Sequence, residues 1–210
     1  MTRGLVLIGA SGLAREVLAA GATGVVGVAD DDPARHGRGL AGHPVIGSIA
    51  DMVHRDDDLL VCLGPGHVRR SVVRRLVGWG VPSHRFATFI ARSARVGRSS
   101  TVGHGSILLD GVVVTADAAI GSHVVVMPNC TVTHDGVIED FATLAAGVAL
   151  GGSVRIREAA YIGMNAAIRQ HVDVGANATV GMSAVVLADV PPGEVWAGVP
   201  ARLLERVAVR

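Results

Sequence analysis

Aromatic side chains are scarce: three Phe, two Trp and one Tyr among 210 residues. Ordinary globular cores use rings to fill space, so part of this interior must be too narrow for them. Cysteine is nearly missing too. Cys62 and Cys130 are too few for a disulfide framework, and the chain reads as reduced and cytoplasmic. Neither sign of charge dominates. Nineteen basic residues against 18 acidic leave a net charge of +1, which excludes an electrostatic surface for nucleic acid. No run reaches the roughly 18 apolar residues of a membrane-spanning helix, and the opening MTRGLVLIGASG is too short an apolar stretch for a secretory signal. What is present is Val, Ala and 28 Gly, with half the chain hydrophobic. That composition excludes disorder and suits one large domain or two small ones.

The apolar residues keep a six-residue clock. Steps of six from Ile90 give Val96, Val102, Leu108, Val114, Ile120, Val126, Val132, Ile138, Leu144, Leu150, Ile156, Ile162, Ile168, Val174, Val180 and Val186, seventeen aliphatic hits without an insertion. Four residues after each hit the side chain is small or short, from Ala94, Ser100 and Ser106 through Cys130 and Gly136 to Ala184 and Val190. Positions five and one are two apart, so on a strand they share a face and point inward, with position six outward between them. Positions three and four turn a corner. Position four holds Gly105, Gly111, Asp117, Asn129, Asp135, Gly147, Asn165, Asn177 and Asp189, residue types that tolerate positive φ. Three hexads close a triangular coil of 18 residues, and coils stack at about 4.8 Å. The reading is a parallel β-helix, a narrow prism with no internal pocket.

The first 80 residues follow another pattern. Gly4–Gly9 reads as a buried strand, Leu13–Ala20 as a helix, Val25–Ala29 as a second strand and Leu59–Leu63 as a third. Ser48 is expected to cap a short helix ending near Asp56, and Val68–Trp79 to form a basic-faced helix. Alternating strands and helices imply a small parallel sheet, Rossmann-like. Gly9 and Gly12 would let a backbone approach phosphate at a helix N-terminus, and Asp30 stands 21 residues beyond Gly9. The spacing G-x-x-G-x-A is not the dinucleotide fingerprint. A tight strand–turn–helix and a nucleotide site fit this loop equally well.

Ligands of so thin a prism must bind outside it or between copies. His134 and Asp135 take positions three and four of one corner, with Gly152 and Ser153 one coil later. A base beside a bare peptide amide suits acyl transfer, one group taking a proton and the other steadying an oxyanion. His104, His123 and His171 also fall at corners, so position alone leaves His134 open between catalytic base and solvated corner residue. Asp135 is equally at home as a plain turn residue. His104 and His123 share one corner line and His134 another, without the close spacing of a zinc site, and no metal is expected.

The GASG loop (9–12), the acidic DDDP turn (30–33), the clock, VTHDGVIEDF (132–141) and the ending WAGVPARLLE (196–205) together resemble the sialic-acid/sugar O-acyltransferase family. These are hexapeptide-repeat enzymes that include bacterial UDP-4-amino-sugar N-acetyltransferases. The resemblance spans nearly the whole chain and implies a left-handed β-helix over residues 82–210 after a nucleotide- or acceptor-binding domain over 1–81. It further implies a homotrimer, with acetyl-CoA in the groove between neighbouring prisms. By motif, His134 is the general base, Asp135 its acidic partner and Gly152 the amide for the thioester oxygen. The acceptor side takes Gly9, Ser11, Gly12, Asp30 and Asp31. The coenzyme side takes Gly151, Gly152, Met164, Met182, Val199, Pro200 and Ala201, with Arg155, Arg157 and Arg169 as phosphate partners. Leu13 and Met127 depart from the family's usual histidine and asparagine, both on the acceptor side.

The mechanism so implied is direct transfer to an amine or hydroxyl of a sugar, without a covalent enzyme intermediate, Cys130 pointing inward. The alternatives are a sialic-type or other small acceptor, a non-catalytic trimer, and a zinc carbonic anhydrase of the same repeat class.

Overall fold

The computed structural model describes residues 3–204, so Glu205 at the end of the C-terminal motif lies outside the described residues. The chain opens with β1 (Leu5–Ile8), α1 (Gly12–Ala19) and β2 (Val25–Ala29). A hairpin follows, β3 (Gly39–Leu40) and β4 (His43–Gly47), then β5 (Asp58–Val61) and α2 (Gly66–Gly78). The sheet order is β3-β4-β2-β1-β5, with β4, β2, β1 and β5 parallel. The hairpin escaped the sequence reading because its pairing with β2 is a tertiary event between short, polar segments. Ser48 does not cap an α-helix. A 3₁₀ turn spans Ala50–His54, and Asp51 Oδ2 reaches back to the Ser48 N–H and hydroxyl, each at 2.8 Å.

Alternation along β1 splits the lobe into two layers. Val6 and Ile8 pack with Val72, Val73 and Leu76 of α2, whereas Leu7 packs with Leu13, Ala14 and Val17 of α1. Ile107, Leu109 and Val125 join the second layer, although they belong to the repeat region.

From Phe89 onward two-residue strands recur every six residues and stack in parallel with an 18-residue register, as in Val113↔Thr131 and Val125↔Thr143. They form three faces. The first carries Phe89–Ile90, Ile107–Leu108, Val125–Val126, Thr143–Leu144, Tyr161–Ile162 and Thr179–Val180. The second runs from Arg95–Val96 to Val185–Val186, and the third from Thr101–Val102 to Asp173–Val174. Positions one and five meet inside as one continuous aliphatic core from Leu108 to Val190, each fully buried large side chain contributing roughly 2 kcal/mol. Val195–Ala197 and Arg202–Leu203 finish the first face as an antiparallel pair, and Ala201 and Trp196 pack onto the end of the core.

Three expectations fail in detail. Ile90 is 43% exposed and Val96 and Val102 only half-buried, because the first coil has nothing beneath it. Outward positions Ile107, Val125 and Thr143 are buried, because the N-terminal lobe lies on the first face. Asp189 is absent from the left-handed corners, since the last turn breaks the hexad and Val190 pairs with Val174 in an isolated bridge. Conversely, His123, Phe141, Ser153, Ala159, His171 and Ser183 all adopt positive φ at position four. The left-handed region costs such residues roughly 1 kcal/mol or more. Coil-to-coil bonds such as Phe141 N–H to Ser122 O (3.0 Å) and Ala159 N–H to Asp140 O (3.0 Å) hold the corners regardless of residue type.

Candidate active site

On the edge between the second and third faces, stacking brings three corners into line. The Asp135 N–H donates to Ala116 O (3.1 Å), Ser153 N–H to His134 O (2.9 Å) and His171 N–H to Gly152 O (2.9 Å). The His134 ring therefore lies directly over the next coil. A methyl group at Gly152 would sit 2.5 Å from both Cε1 and Nε2 of the imidazole, so only glycine fits beneath it. His134 Nδ1 is 2.7 Å from Asp135 Oδ2. The carboxylate only accepts, so Nδ1 carries the hydrogen and Nε2 keeps its lone pair. Both side chains are open to solvent, at 64% and 59% exposure. Among the described residues the Gly152 N–H has no acceptor. An imidazole with a fixed tautomer, a free ring nitrogen and an unused amide beside it can move a proton and steady a developing oxyanion.

The acceptor-side residues divide. Gly9 has φ +101° and donates to Ala29 O, and Ser11 caps α1 by accepting from the Ala14 N–H. The Ser11 hydroxyl donates to Cys62 O at 2.6 Å. Asp30 uses both oxygens internally, on the Ala10 N–H (2.7 Å) and the Asp32 N–H (2.9 Å). Asp31 accepts from the Ile49 N–H and pairs with Arg75. Both aspartates thus brace the loop. Ser11 and Gly12 instead line a cleft of about 790 Å³ between the lobe and the prism, together with Leu13, His67, Met127, Thr143 and Tyr161. Sequence reasoning missed His67 and Tyr161; the apolar outward series Phe89, Ile107, Val125 was the signal that something covers this face.

The coenzyme-side residues are also split within one chain. Gly151 and Gly152 occupy the second/third edge, while Met164, which lines the cleft, and Met182 occupy the first/second edge. Met182 and Val199 are the most exposed large apolar side chains, at 76% and 73%, and Pro200 next to Val199 is exposed as well. Ala201 is a correction: it is buried, and its N–H is bonded to Val185 O, so it closes the prism. Arg155 and Arg157 are a second correction. Glu139 takes both and Asp173 also takes Arg157, which consumes the charge expected to meet phosphate. Arg169 is exposed and has no carboxylate partner among the described residues.

Cys130 points into the core with its Sγ 3.0 Å from Ala145 O, and burial pushes the thiol up to about 11. No nucleophile is available there. Among the described residues no three His, Cys, Asp or Glu side chains cluster to hold a metal, and no helix is long and apolar enough to cross a membrane.

The seam between lobe and prism carries two unusual buried groups. Arg69 is fully buried and donates only to neutral oxygens, and burial lowers its guanidinium to about 10. His123 stacks on Phe141 at 5.1 Å and meets Phe86 edge-on at 4.9 Å. Burial first, then the charges of Arg69 and His104, lower His123 to about 4, and its Nδ1 has no partner among the described residues.

No family model matches the chain. The acetyltransferase domain of PglB from Neisseria gonorrhoeae, also solved with acetyl coenzyme A, is 31% identical with a TM-score of 0.86, covering 97% of this chain and 100% of that one. Perosamine N-acetyltransferase from Caulobacter crescentus, solved with CoA and GDP-perosamine, gives a TM-score of 0.87 at 30% identity over 96% of this chain and 97% of that one. UDP-3-O-acylglucosamine N-acyltransferase of a Caulobacter species is 31% identical over 110 residues, 48% of this chain and 32% of that protein. The curated relatives are thus matched over part of their length, 52% and 32% in two of them.

Proposed function

Since the chain belongs to the hexapeptide-repeat sugar acetyltransferases, we propose that it moves an acetyl group from acetyl-CoA to an amine or hydroxyl of a sugar, with a nucleotide-linked amino sugar as acceptor. His134 Nε2 takes the acceptor's proton as the nitrogen or oxygen attacks the thioester carbon. The oxyanion rests on the Gly152 N–H. Collapse breaks the C–S bond, and the proton held by His134 returns to the departing CoA thiolate. Asp135 stabilises the imidazolium in between. The observation that carries this reading is the imidazole laid on a bare glycine backbone with its far nitrogen tied to a carboxylate at 2.7 Å.

One chain keeps the His134 edge and the cleft edge apart, with the second face between them. The outward residues there above Arg95 are Val113, Thr131, Ala149, Ala167 and Val185, all uncharged. A second prism laid on that face would join one copy's His134 to its neighbour's Met164 and Met182, and this supports a homotrimer of left-handed prisms with acetyl-CoA in the shared groove. The lobe, residues 1–81 read as Rossmann-like, would hold the acceptor through Ser11 and Gly12, with Gly9, Asp30 and Asp31 shaping the loop. CoA and GDP-perosamine bound together in the Caulobacter crescentus enzyme support an acceptor of this class. The two buried free thiols fit a reduced, cytoplasmic setting.

The test is CoA-thiol release with acetyl-CoA and a panel of UDP-, GDP- and dTDP-amino-sugars and sialic acids. At least one nucleotide-linked amino sugar should support turnover. Acetyl-CoA that neither raises the unfolding temperature nor loses its acetyl group to any of them would sink the reading, since a ligand at 100 times its Kd adds about 2.7 kcal/mol.

A further inference from the structure

The proposed chemistry makes no use of Arg69, yet no other side chain grips both walls of the cleft so closely. From the lobe it takes Leu63 O (2.6 Å) and Gly64 O (2.8 Å). From the prism it takes His123 O (2.6 Å), Phe141 O (2.8 Å), Ala142 O (3.0 Å) and Thr143 Oγ1 (3.1 Å). The Thr143 hydroxyl in turn donates to Gly64 O at 3.0 Å. Gly66, the first residue of α2, sits so tight that a methyl group there would run into Phe141 O and lie 3.3 Å from Ala159 Cα. Gly64, Gly66 and Thr143 all line the cleft.

We propose that Arg69, with Thr143 and Gly66, positions the β5–α2 loop against the prism and thereby sets the width of the acceptor cleft. The inference rests on the acceptor reading above. Merely joining two surfaces does not require a buried cation: an apolar contact of equal volume would stabilise at least as well, and the ion has no carboxylate to offset its desolvation. What a guanidinium adds is a rigid planar fork whose five donors fix distance and angle at once. Here the fork spans the seam between two folding patterns, at the start of the helix whose first residues form one wall. Loss of the fork leaves six oxygens without their donor and frees that wall to shift. A displacement near 1 Å in a positioning element costs up to about a hundredfold.

Arg69→Met, Arg69→Lys, Gly66→Ala and Thr143→Val, each checked by thermal unfolding, are titrated separately with acetyl-CoA and with GDP-, UDP- and dTDP-amino-sugars. Arg69→Met and Gly66→Ala should weaken the nucleotide sugar about tenfold or more, in Kd and in KM, with Arg69→Lys falling between them and the wild type. The acetyl-CoA Kd should stay within about twofold, a split that general loosening of the fold would not produce. If Arg69→Met does not fold, Thr143→Val, which keeps the volume and drops only the hydroxyl's two bonds, decides the same question with a smaller shift. Folded variants that bind the sugar as tightly as the wild type, or lose both ligands in proportion, overturn the positioning role. A wild type that binds acetyl-CoA and no nucleotide sugar overturns the acceptor reading, and this role with it, and shows it before any variant is made.

Discussion

The prism and the seam obey opposite rules. Along the prism one hexad instruction repeats, and an outward or corner residue changes with little effect on the frame; position four accepts Gly, Asn, Asp, His, Ser, Ala and even Phe. On the seam nothing repeats. Arg69, His123, Phe141 and Gly66 each occupy a place defined by residues more than 50 positions away. A repeat tolerates variety because coil-to-coil backbone bonds hold the shape, whereas a junction between unlike folds relies on individual side chains.

The sharpest break of that contrast is at His134. His134→Ala should lower turnover on the order of 10²–10⁴-fold, yet leave the unfolding temperature and acetyl-CoA affinity near the wild type, as measured by thiol release and calorimetry. Near-normal turnover would remove His134 from the mechanism. The seam should answer to pH instead. The depressed His123 value means that its contribution to stability is fully present above about pH 6.5 and is lost as pH falls toward 4. The loss is roughly 3 kcal/mol, and denaturant melts at pH 7 and pH 4.5 should show it shrink in His123→Asn, where asparagine still suits the left-handed corner. An unchanged pH slope in that variant contradicts the assignment. Asp135→Asn should have the smallest effect, about tenfold or less on turnover, because asparagine keeps the corner at φ 58° and an amide oxygen still faces Nδ1. A loss equal to that of His134→Ala would give the carboxylate's charge a larger role.

The same contrast explains what the sequence could tell. Strict period six with inward aliphatics gave every corner an address, so His134 over Gly152 followed from adding 18. The end of the clock did not: Asp189 and the exposed Ile90 lie where a neighbouring coil is missing. In the lobe, strands came within a residue or two because buried runs are local, but the β3–β4 hairpin depends on β2. Arg155 and Arg157 were misread as phosphate partners because their carboxylates sit one coil away, 16 or 18 positions along the chain. Arg69 was invisible, since nothing local marks an arginine in a basic helix as one that will be fully enclosed.

The unsupported first coil has one more effect. A ladder that stops with its amides unsatisfied is a template onto which another rod can add, the beginning of a fibre. The far end is plugged by Trp196 and Ala201. The open mouth presents Arg92, Arg95 and Arg98, all exposed, and two such mouths brought face to face would repel each other. Those three cations leave the rod free to pair along its sides while discouraging growth from its tip.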